Sequence, residues 1–254
     1  MAKGSFINNK RAAIPAIAAF TLIEMSIVLV IIGLIIGGVL AGRDLLHTQK
    51  VRRVIEDVSQ IKSSTAAFEL KFSALPGDMA DAFSYWGIDC GANAAACNGN
   101  GDRKIGTPYN ERWFAWRHMN LAKVYPGNYT GVADLTWTPS VAVPEGPFPG
   151  TVYHWEIATW VGNNREGLQL LFYASDAGGG SAWANSALIP ADAWSIDVKV
   201  DNGNPRTGKM LVAGGYNGVT ATSDPNCHSG NNYDLDHDEP SCRLEFVMEA
   251  GGVE

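Results

Sequence analysis

The sequence has little positive charge. It contains 19 Lys and Arg residues against 26 Asp and Glu residues, which gives a formal net charge of −7 at pH 7. Nucleic-acid binding depends on clustered Lys and Arg side chains that contact phosphates, so we do not expect nucleic acid as a partner. Charged residues make up 18% of the chain and hydrophobic residues 46%, which is enough apolar material for a packed globular part.

Catalytic motifs are also missing from the sequence. There is no G-x-S-x-G or H-E-x-x-H motif, and the glycine run before Ser181 lacks the Lys of a phosphate-binding loop. The histidines form no recognisable set with a nucleophile, and His118 in particular reads as a packed or surface residue. We therefore expect a protein that is not an enzyme.

Cysteine is scarce, and its four positions fall into two local pairs: Cys90 with Cys97, and Cys227 with Cys242. This clustering favours the disulfides Cys90–Cys97 and Cys227–Cys242 among the three connectivities that four cysteines allow. Zinc ligation is the alternative, but neither pair has the C-x₂-C spacing of common zinc sites. Two disulfides would imply an oxidising compartment.

One long apolar run stands near the N-terminus. No charged residue occurs between Met25 and Gly42. As a helix this segment covers about 27 Å, enough to cross the hydrocarbon core of a bilayer. Lys3, Lys10 and Arg11 precede the run, which predicts a cytoplasmic N-terminus and an external remainder.

The residues before the run do not form an ordinary secretory signal, whose apolar region precedes its cleavage site. Here the Ala-Ile-Ala sequence at 16–18 precedes the apolar run, and only residues 12–15 separate it from Arg11. A simple membrane anchor is the alternative interpretation. It would not explain Glu24, because a carboxylate in an apolar membrane helix is costly and requires a partner.

The segment from Ala19 to Glu24, with the letters AFTLIE, resembles the processing site of type IV pilins and type II secretion pseudopilins. The resemblance implies that a prepilin peptidase cuts between Ala19 and Phe20, removes the leader 1–19 and methylates the new amino group of Phe20. The family usually has Gly before the cut, where this chain has Ala19. The resemblance also implies that Glu24 pairs with the N-terminal ammonium of a neighbouring subunit, so that both charges are compensated only in the filament.

The helix is expected to span 20–73, with 20–42 crossing the membrane or forming the filament core. Apolar residues and one Thr recur beyond it at steps of three and four, the spacing of one helix face: Val51, Val54, Ile55, Val58, Ile61, Thr65, Phe68 and Phe72. The Leu-Pro-Gly-Asp sequence at 75–78 ends this pattern. No Pro interrupts the helix, which favours a pseudopilin over the many type IV pilins that carry one.

Residues 74–254 are expected to form a periplasmic head with short strands. Alternation at Tyr153, Trp155 and Ile157 predicts one strand, and 168–173 and 243–248 predict two more. Alternation over 194–201 predicts a strand that forms a hairpin with 209–212. The expected fold is therefore α+β, with a long N-terminal α-helix packed on an antiparallel β-sheet head, as in pilins.

An acidic loop near the C-terminus is a candidate calcium site. Asp234, Asp236 and Asp238 occupy positions 1, 3 and 5 of a calcium loop, and Glu245 falls at position 12. Glu239 stands at position 6, where such loops have Gly, and the alternative is a solvated acidic loop closed by a disulfide. The resemblance favours calcium, since major pseudopilins of type II secretion are known for a calcium site near the C-terminal end.

A second loop has weaker calcium-loop spacing. Asn98, Asn100 and Asp102 alternate, but only Asp102 carries a charge. Glu111 would have to reach into this loop from outside it. A turn closed by Cys90–Cys97 is the alternative interpretation.

The function expected from the resemblance is that of a structural subunit of a type II secretion pseudopilus or a related type IV pilus-like filament. The alternative is a minor pilin with an adhesive or substrate-binding head. Expected partners are copies of the chain, other pilins or pseudopilins, the prepilin peptidase, the inner-membrane assembly platform and, before assembly, membrane lipid. The expected location is the bacterial inner membrane, crossed once with the head in the periplasm, and later a filament.

Overall fold

The computed structural model describes residues 21–106, 110–134, 138–157, 168–175, 186–213 and 226–248. The chain divides into two compact units, Met1–Leu46 and His47–Glu254. Helix α1 begins at Leu22 and ends at Phe72, which confirms the expected long helix. The predicted leader 1–19 and Phe20 lie outside the described residues.

In the first unit, α1 is apolar and exposed. One 18-residue window has a mean hydropathy of 2.7 and contains no buried residue. By length and composition this part of α1 could cross a membrane or serve as a signal anchor.

In the second unit, α1 carries the buried stripe that the sequence predicts. The apolar residues of this stripe have at most 3% of their surface exposed: Val51, Val54, Val58, Ile61 and Phe68. Thr65 is buried on the same stripe, and Ile55 and Phe72 are partly buried against the core. The predicted helix face is therefore confirmed.

The chain turns sharply after α1 at Gly77, whose φ is +88°. A Cβ at this position would lie 2.3 Å from the carbonyl oxygen of Glu111. Both the positive φ and the close approach require glycine. The turn thereby brings the next residue, Asp78, against the N-terminal end of a later helix.

In the described part of the chain, three further α-helices follow: α2 (Ala82–Trp86), α3 (Glu111–Leu121) and α4 (Pro190–Val200). The strands are β1 (Thr151–Ile157), β2 (Leu168–Ala174), β3 (Met210–Ala213), β4 (His228–Ser229), β5 (Asn232–Tyr233) and β6 (Arg243–Met248). Strands β1, β2, β6 and β3 form an antiparallel sheet in that order, and β4 pairs with β5. The α+β class is confirmed, as are the predicted strands β1, β2 and β6.

Both faces of the main sheet are buried, but they differ in chemistry. One row across the strands is apolar and fully buried: Trp155, Leu170, Phe246 and Met210. The next row, on the opposite face, includes charged or polar members and is at most 3% exposed: His154, Leu171, Glu245 and Leu211. The head therefore has an apolar core on one side of the sheet and buried charge on the other.

The predicted strand at 194–201 is wrong, because this segment belongs to helix α4. Pro190 occupies the first turn, where its fixed φ favours a helix start. Ala193 and Ile196 are fully buried at a helical spacing, whereas Val198 is 50% exposed. Strand β3 pairs with β6 instead of forming the predicted hairpin, so period-two alternation over a short segment was misleading.

Both predicted disulfides are present, Cys90–Cys97 and Cys227–Cys242. Cys242 directly precedes β6 and pairs through its backbone with Leu188. The second disulfide therefore ties the β4–β5 hairpin to the central strands of the sheet.

Candidate functional site

Two residues at the start of α1 hydrogen-bond to each other. The N–H and the hydroxyl of Thr21 both donate to Oε2 of Glu24, at 2.8 and 2.9 Å. The N–H of Glu24 donates in return to the Thr21 hydroxyl, at 3.2 Å. This is a capping box, in which two side chains satisfy N–H groups that a helix terminus leaves free.

Glu24 therefore has a partner within its own chain. The Thr-x-x-Glu spacing is the sequence signal of this contact. Within the described residues, no group donates to the other carboxylate oxygen, Oε1. Glu24 also lies at the positive end of the helix dipole, which favours a carboxylate. Ala19 and Phe20, the predicted cleavage and methylation residues, lie outside the described part of the chain.

The four predicted calcium ligands are not gathered together. Asp234, Asp236 and Asp238 are exposed between β5 and β6. Glu245 is 1% exposed on β6, where it lies opposite Leu171 of β2 in the register. Among the described residues, no set of three potential ligands within 4.8 Å of one another includes any of these four. Calcium binding by this loop stays a prediction.

A different carboxylate cluster does form, around the second candidate loop. Asp78, Asp102 and Glu111 each place an oxygen within 4.8 Å of the other two. Asp78 is 1% exposed and Glu111 is fully buried. Glu111 thus does reach into the loop from helix α3, as the calcium-loop interpretation would require. Asp78, which follows the turn at Gly77, is a member of the cluster that was not among the predicted site residues.

Backbone N–H groups surround the two buried carboxylates. Asp78 Oδ1 accepts hydrogen bonds from Gly101 and Asp102, at 2.7 and 3.0 Å, and Oδ2 accepts one from Arg103 at 2.8 Å. Glu111 accepts from Asn100 at 3.0 Å through Oε1, and from Gly106 at 3.2 Å through Oε2. These bonds fix the path of the loop and satisfy both carboxylates without a ligand.

The two buried carboxyl groups of the cluster, Asp78 and Glu111, have raised pKa values. Burial raises the pKa of Glu111 to about 7, against the hydrogen bonds from Gly106 and Asn100, and the charges of Asp78 and Asp102 raise it further. Burial likewise raises the pKa of Asp78. The cluster therefore takes up a proton on Glu111 near neutral pH. It joins the end of α1 to the start of α3 through the loop between them.

His118 of α3 contacts the turn at Gly77 and the loop closed by the Cys90–Cys97 disulfide. Its Nδ1 accepts a hydrogen bond from the N–H of Gly77 at 3.0 Å, and its Nε2 lies 2.8 Å from the carbonyl oxygen of Cys97. Because Nδ1 accepts, the proton lies on Nε2, which donates to Cys97. Burial lowers the pKa of His118 to about 4. Of the two expected alternatives, a packed or a surface residue, these contacts and the full burial of His118 show the packed one.

Cys90, Cys97 and His118 also lie within 4.8 Å of one another. The two sulfurs are joined in a disulfide. They are therefore not thiolates, the form in which cysteine binds a metal.

A buried ion pair lies beside the sheet. Nη2 of Arg112 donates to Oε1 of Glu156 at 2.6 Å, and both side chains are 1% exposed. Arg243 and Glu245 of β6 are buried as well, and burial lowers the pKa of Arg243. These four side chains place opposite charges close together, which is the condition for burying ionised groups. Their burial beside the sheet suits a structural role.

Comparison of the chain with models of protein families, with curated proteins and with solved structures gives no match.

Proposed function

We propose that the chain is a structural subunit of a type II secretion pseudopilus or a related type IV pilus-like filament. A prepilin peptidase cuts between Ala19 and Phe20 and methylates the amino group of Phe20. The first part of α1 holds the subunit in the bacterial inner membrane and then enters the filament core. The head lies in the periplasm.

The observation that carries this proposal is the combination of an exposed apolar helix with one carboxylate at its start. Between Leu22 and Gly42, Glu24 is the only charged residue. The α1 residues around it are exposed in the first unit. A bilayer, and later the helices of neighbouring subunits, would cover this surface.

The contact between Glu24 and Thr21 supports a role in assembly. In a single subunit, Oε2 of Glu24 accepts from Thr21, which reduces the cost of the carboxylate before assembly. In the filament, Oε1 is then available to the methylated ammonium of Phe20 from a neighbouring subunit. The local cap and the contact between subunits use different oxygens, so assembly would not have to break the cap.

The head supports the proposal through its packing on α1. The stripe that includes Val54 and Ile61 belongs to the core of the second unit, together with the apolar row of the sheet. The hydroxyl of Tyr153 on β1 donates to Oδ2 of Asp57 on α1, at 3.2 Å. The second part of α1 is therefore an integral part of the head.

Mass spectrometry of the N-terminus tests the proposal. The chain is isolated from membranes of cells that carry a prepilin peptidase and from matched cells that lack it. The expected result is an N-terminal peptide that begins with methylated Phe20 only in the first cells. A chain that still begins at Met1 in both would contradict the proposal.

A further inference from the structure

Helix α4 has one face that the described part of the head leaves uncovered. Trp194 and Val198 lie one helical turn apart on it and are 43% and 50% exposed. A Cβ at Gly203, just beyond the end of α4, would lie 2.9 Å from Cγ2 of Val198 and 3.6 Å from Nε1 of Trp194. The turn at Gly203 therefore borders the same face. An accessible Trp ring beside an aliphatic side chain is typical of a surface that binds a partner.

An acidic loop adjoins this helix. The hydroxyl of Tyr233 donates to Oδ2 of Asp197 on α4 at 2.7 Å, and the loop begins at the next residue. Residues 234–239 contain no Lys or Arg but four exposed carboxylates: Asp234, Asp236, Asp238 and Glu239. Within the described residues, none of these four side chains forms an ion pair. Their mutual repulsion favours a basic partner.

The arrangement of the loop suits separate cationic side chains. In the described part of the chain, its carboxylates do not come together as a set of three within 4.8 Å of one another, as enclosure of a single ion would require. Arginine fits both parts of the surface, because a guanidinium group pairs with carboxylates and also stacks on a Trp ring. The surface formed by α4 and the loop therefore matches an arginine-bearing segment.

Helix α1 carries such a segment. Residues 43–53 contain four Lys or Arg residues, more than any other stretch of that length in the chain. Arg52 is exposed and makes no ion pair within the described residues. Arg53 is 61% exposed and lies 2.7 Å from Asp57 through Nε. Both arginines are on the outer side of α1, away from its buried stripe.

The arginines of the same chain do not occupy the α4 surface. Asp192 of α4 pairs with His47 of α1 at 2.8 Å, so α1 adjoins that flank of α4. Trp194 is two positions further along and points about 160° around the helix from Asp192. The uncovered face is thus turned away from α1, and arginines that reach it must come from another molecule.

We propose that the α4 face and the acidic loop of one subunit bind Arg52 and Arg53 of a second copy of the chain. This inference rests on the proposed function, and it adds a contact between heads to the one made by Glu24. The two surfaces differ, so the contact is heterologous. Such a contact builds an open helical filament when its rotation does not close a ring.

Site-specific photo-cross-linking tests this contact. The full chain carries p-benzoylphenylalanine in place of Leu235, which is 48% exposed within the acidic loop. It is irradiated in membranes of cells that carry the assembly system. We expect a cross-linked dimer whose peptide map places the link within residues 49–56 of the second copy. Absence of a dimer, or a dimer linked only elsewhere, would overturn the proposal.

Charge-reversal variants assign the contact to the named residues. Asp236→Arg and Arg52→Glu each place like charges opposite one another and should lower the yield of the dimer about tenfold. Both changes in one chain should restore most of the yield, because the facing charges attract again. Lys104→Glu, which reverses an exposed charge on another loop, should leave the yield unchanged. A double variant that links no better than the single variants would contradict the pairing.

The result is separable from that of the N-terminal test. A methylated Phe20 without the link to residues 49–56 would refute this contact and leave the proposed function standing. The link together with an unprocessed N-terminus would support the contact and refute the processed filament subunit.

Discussion

The N–H of Gly77 donates to Nδ1 of His118 at 3.0 Å, while Nε2 of the same ring lies 2.8 Å from the carbonyl oxygen of Cys97. One neutral imidazole therefore joins the turn after α1 to the first disulfide. A protonated ring would have no acceptor left for the N–H of Gly77. The structure of this region thus depends on the charge state of His118.

Acid should destabilise the head through His118. Burial lowers its pKa from 6.5 to about 4. Above pH 6.5 the folded and unfolded chains are both neutral at this site. As the pH falls to 4, mainly the unfolded chain takes up the proton at this site. The free energy of unfolding of the head therefore falls by on the order of 3 kcal/mol. Urea unfolding of His118→Gln should lack this loss, whereas His237→Gln, a control at a more exposed position, should retain it. Equal acid sensitivity in both variants would contradict the assignment.

Glu111 should act in the opposite direction over an overlapping pH range. Its pKa is raised from 4.5 to about 7, so the stability it contributes is present below pH 4.5 and is lost as the pH rises through 7. Glu111→Gln removes this titration, although it also loses an acceptor. We therefore measure, for each chain, the free energy of unfolding at pH 7.5 minus that at pH 5. This value should be larger in Glu111→Gln than in the unmodified chain, because protonation of Glu111 no longer offsets the destabilisation that His118 causes at pH 5. Glu239→Gln, on the exposed loop, should match the unmodified chain, and an unchanged profile in Glu111→Gln would refute the prediction.

The two disulfides should contribute unequally to stability. Cys227 and Cys242 are 15 positions apart, and Cys90 and Cys97 are 7 positions apart. A disulfide that closes a longer loop removes more conformational entropy from the unfolded chain. Replacing both Cys227 and Cys242 by Ser should therefore lower the free energy of unfolding by about 3 kcal/mol, and replacing both Cys90 and Cys97 by Ser should lower it by about 2 kcal/mol. Calorimetry of the two variants measures the order. A larger loss for Cys90–Cys97 would show that contacts of that loop, such as the one with His118, outweigh the entropy.

The buried pair of Arg112 and Glu156 should be costly to break from one side. Arg112→Met leaves the carboxylate of Glu156 without its 2.6 Å partner, at a cost of about 3–5 kcal/mol. The double variant Arg112→Met with Glu156→Leu should recover part of this loss, because no buried charge then remains unpaired. Thermal unfolding of both single variants and the double variant forms the cycle. Additive losses would show that the two residues are not energetically coupled.

Variants of Thr21 and Glu24 separate helix capping from charge pairing. Glu24→Gln keeps the capacity to form the cap but removes the charge, whereas Thr21→Val removes the hydroxyl of the cap and keeps the charge. If the carboxylate pairs with a neighbouring ammonium, Glu24→Gln should enter the membrane normally but assemble poorly. Thr21→Val should assemble nearly as well as the unmodified chain. Filament yield after shearing or cross-linking measures both, and normal assembly of Glu24→Gln would exclude the charge-pairing role.

The sequence by itself determined the local features of this protein. The stripe from Val51 to Phe68 was readable because the 3.6-residue period of a helix places those residues on one face. Both disulfides followed from the spacing of the cysteines, and strands β1, β2 and β6 from their alternation or apolar character. These features depend on neighbours along the chain. The same local signal failed at 194–201, where alternation over a few residues fits a strand and a helix equally well.

Only the tertiary structure decided which distant side chains meet. Asp78 and Glu111 come together because the turn at Gly77 lies against the start of α3, and no periodicity encodes that contact. Glu245 suited a calcium loop by spacing, but it is buried on the central strand β6, whereas the three aspartates of the loop are exposed. Local patterns fix elements because they arise from backbone geometry, whereas sites arise from the packing of those elements.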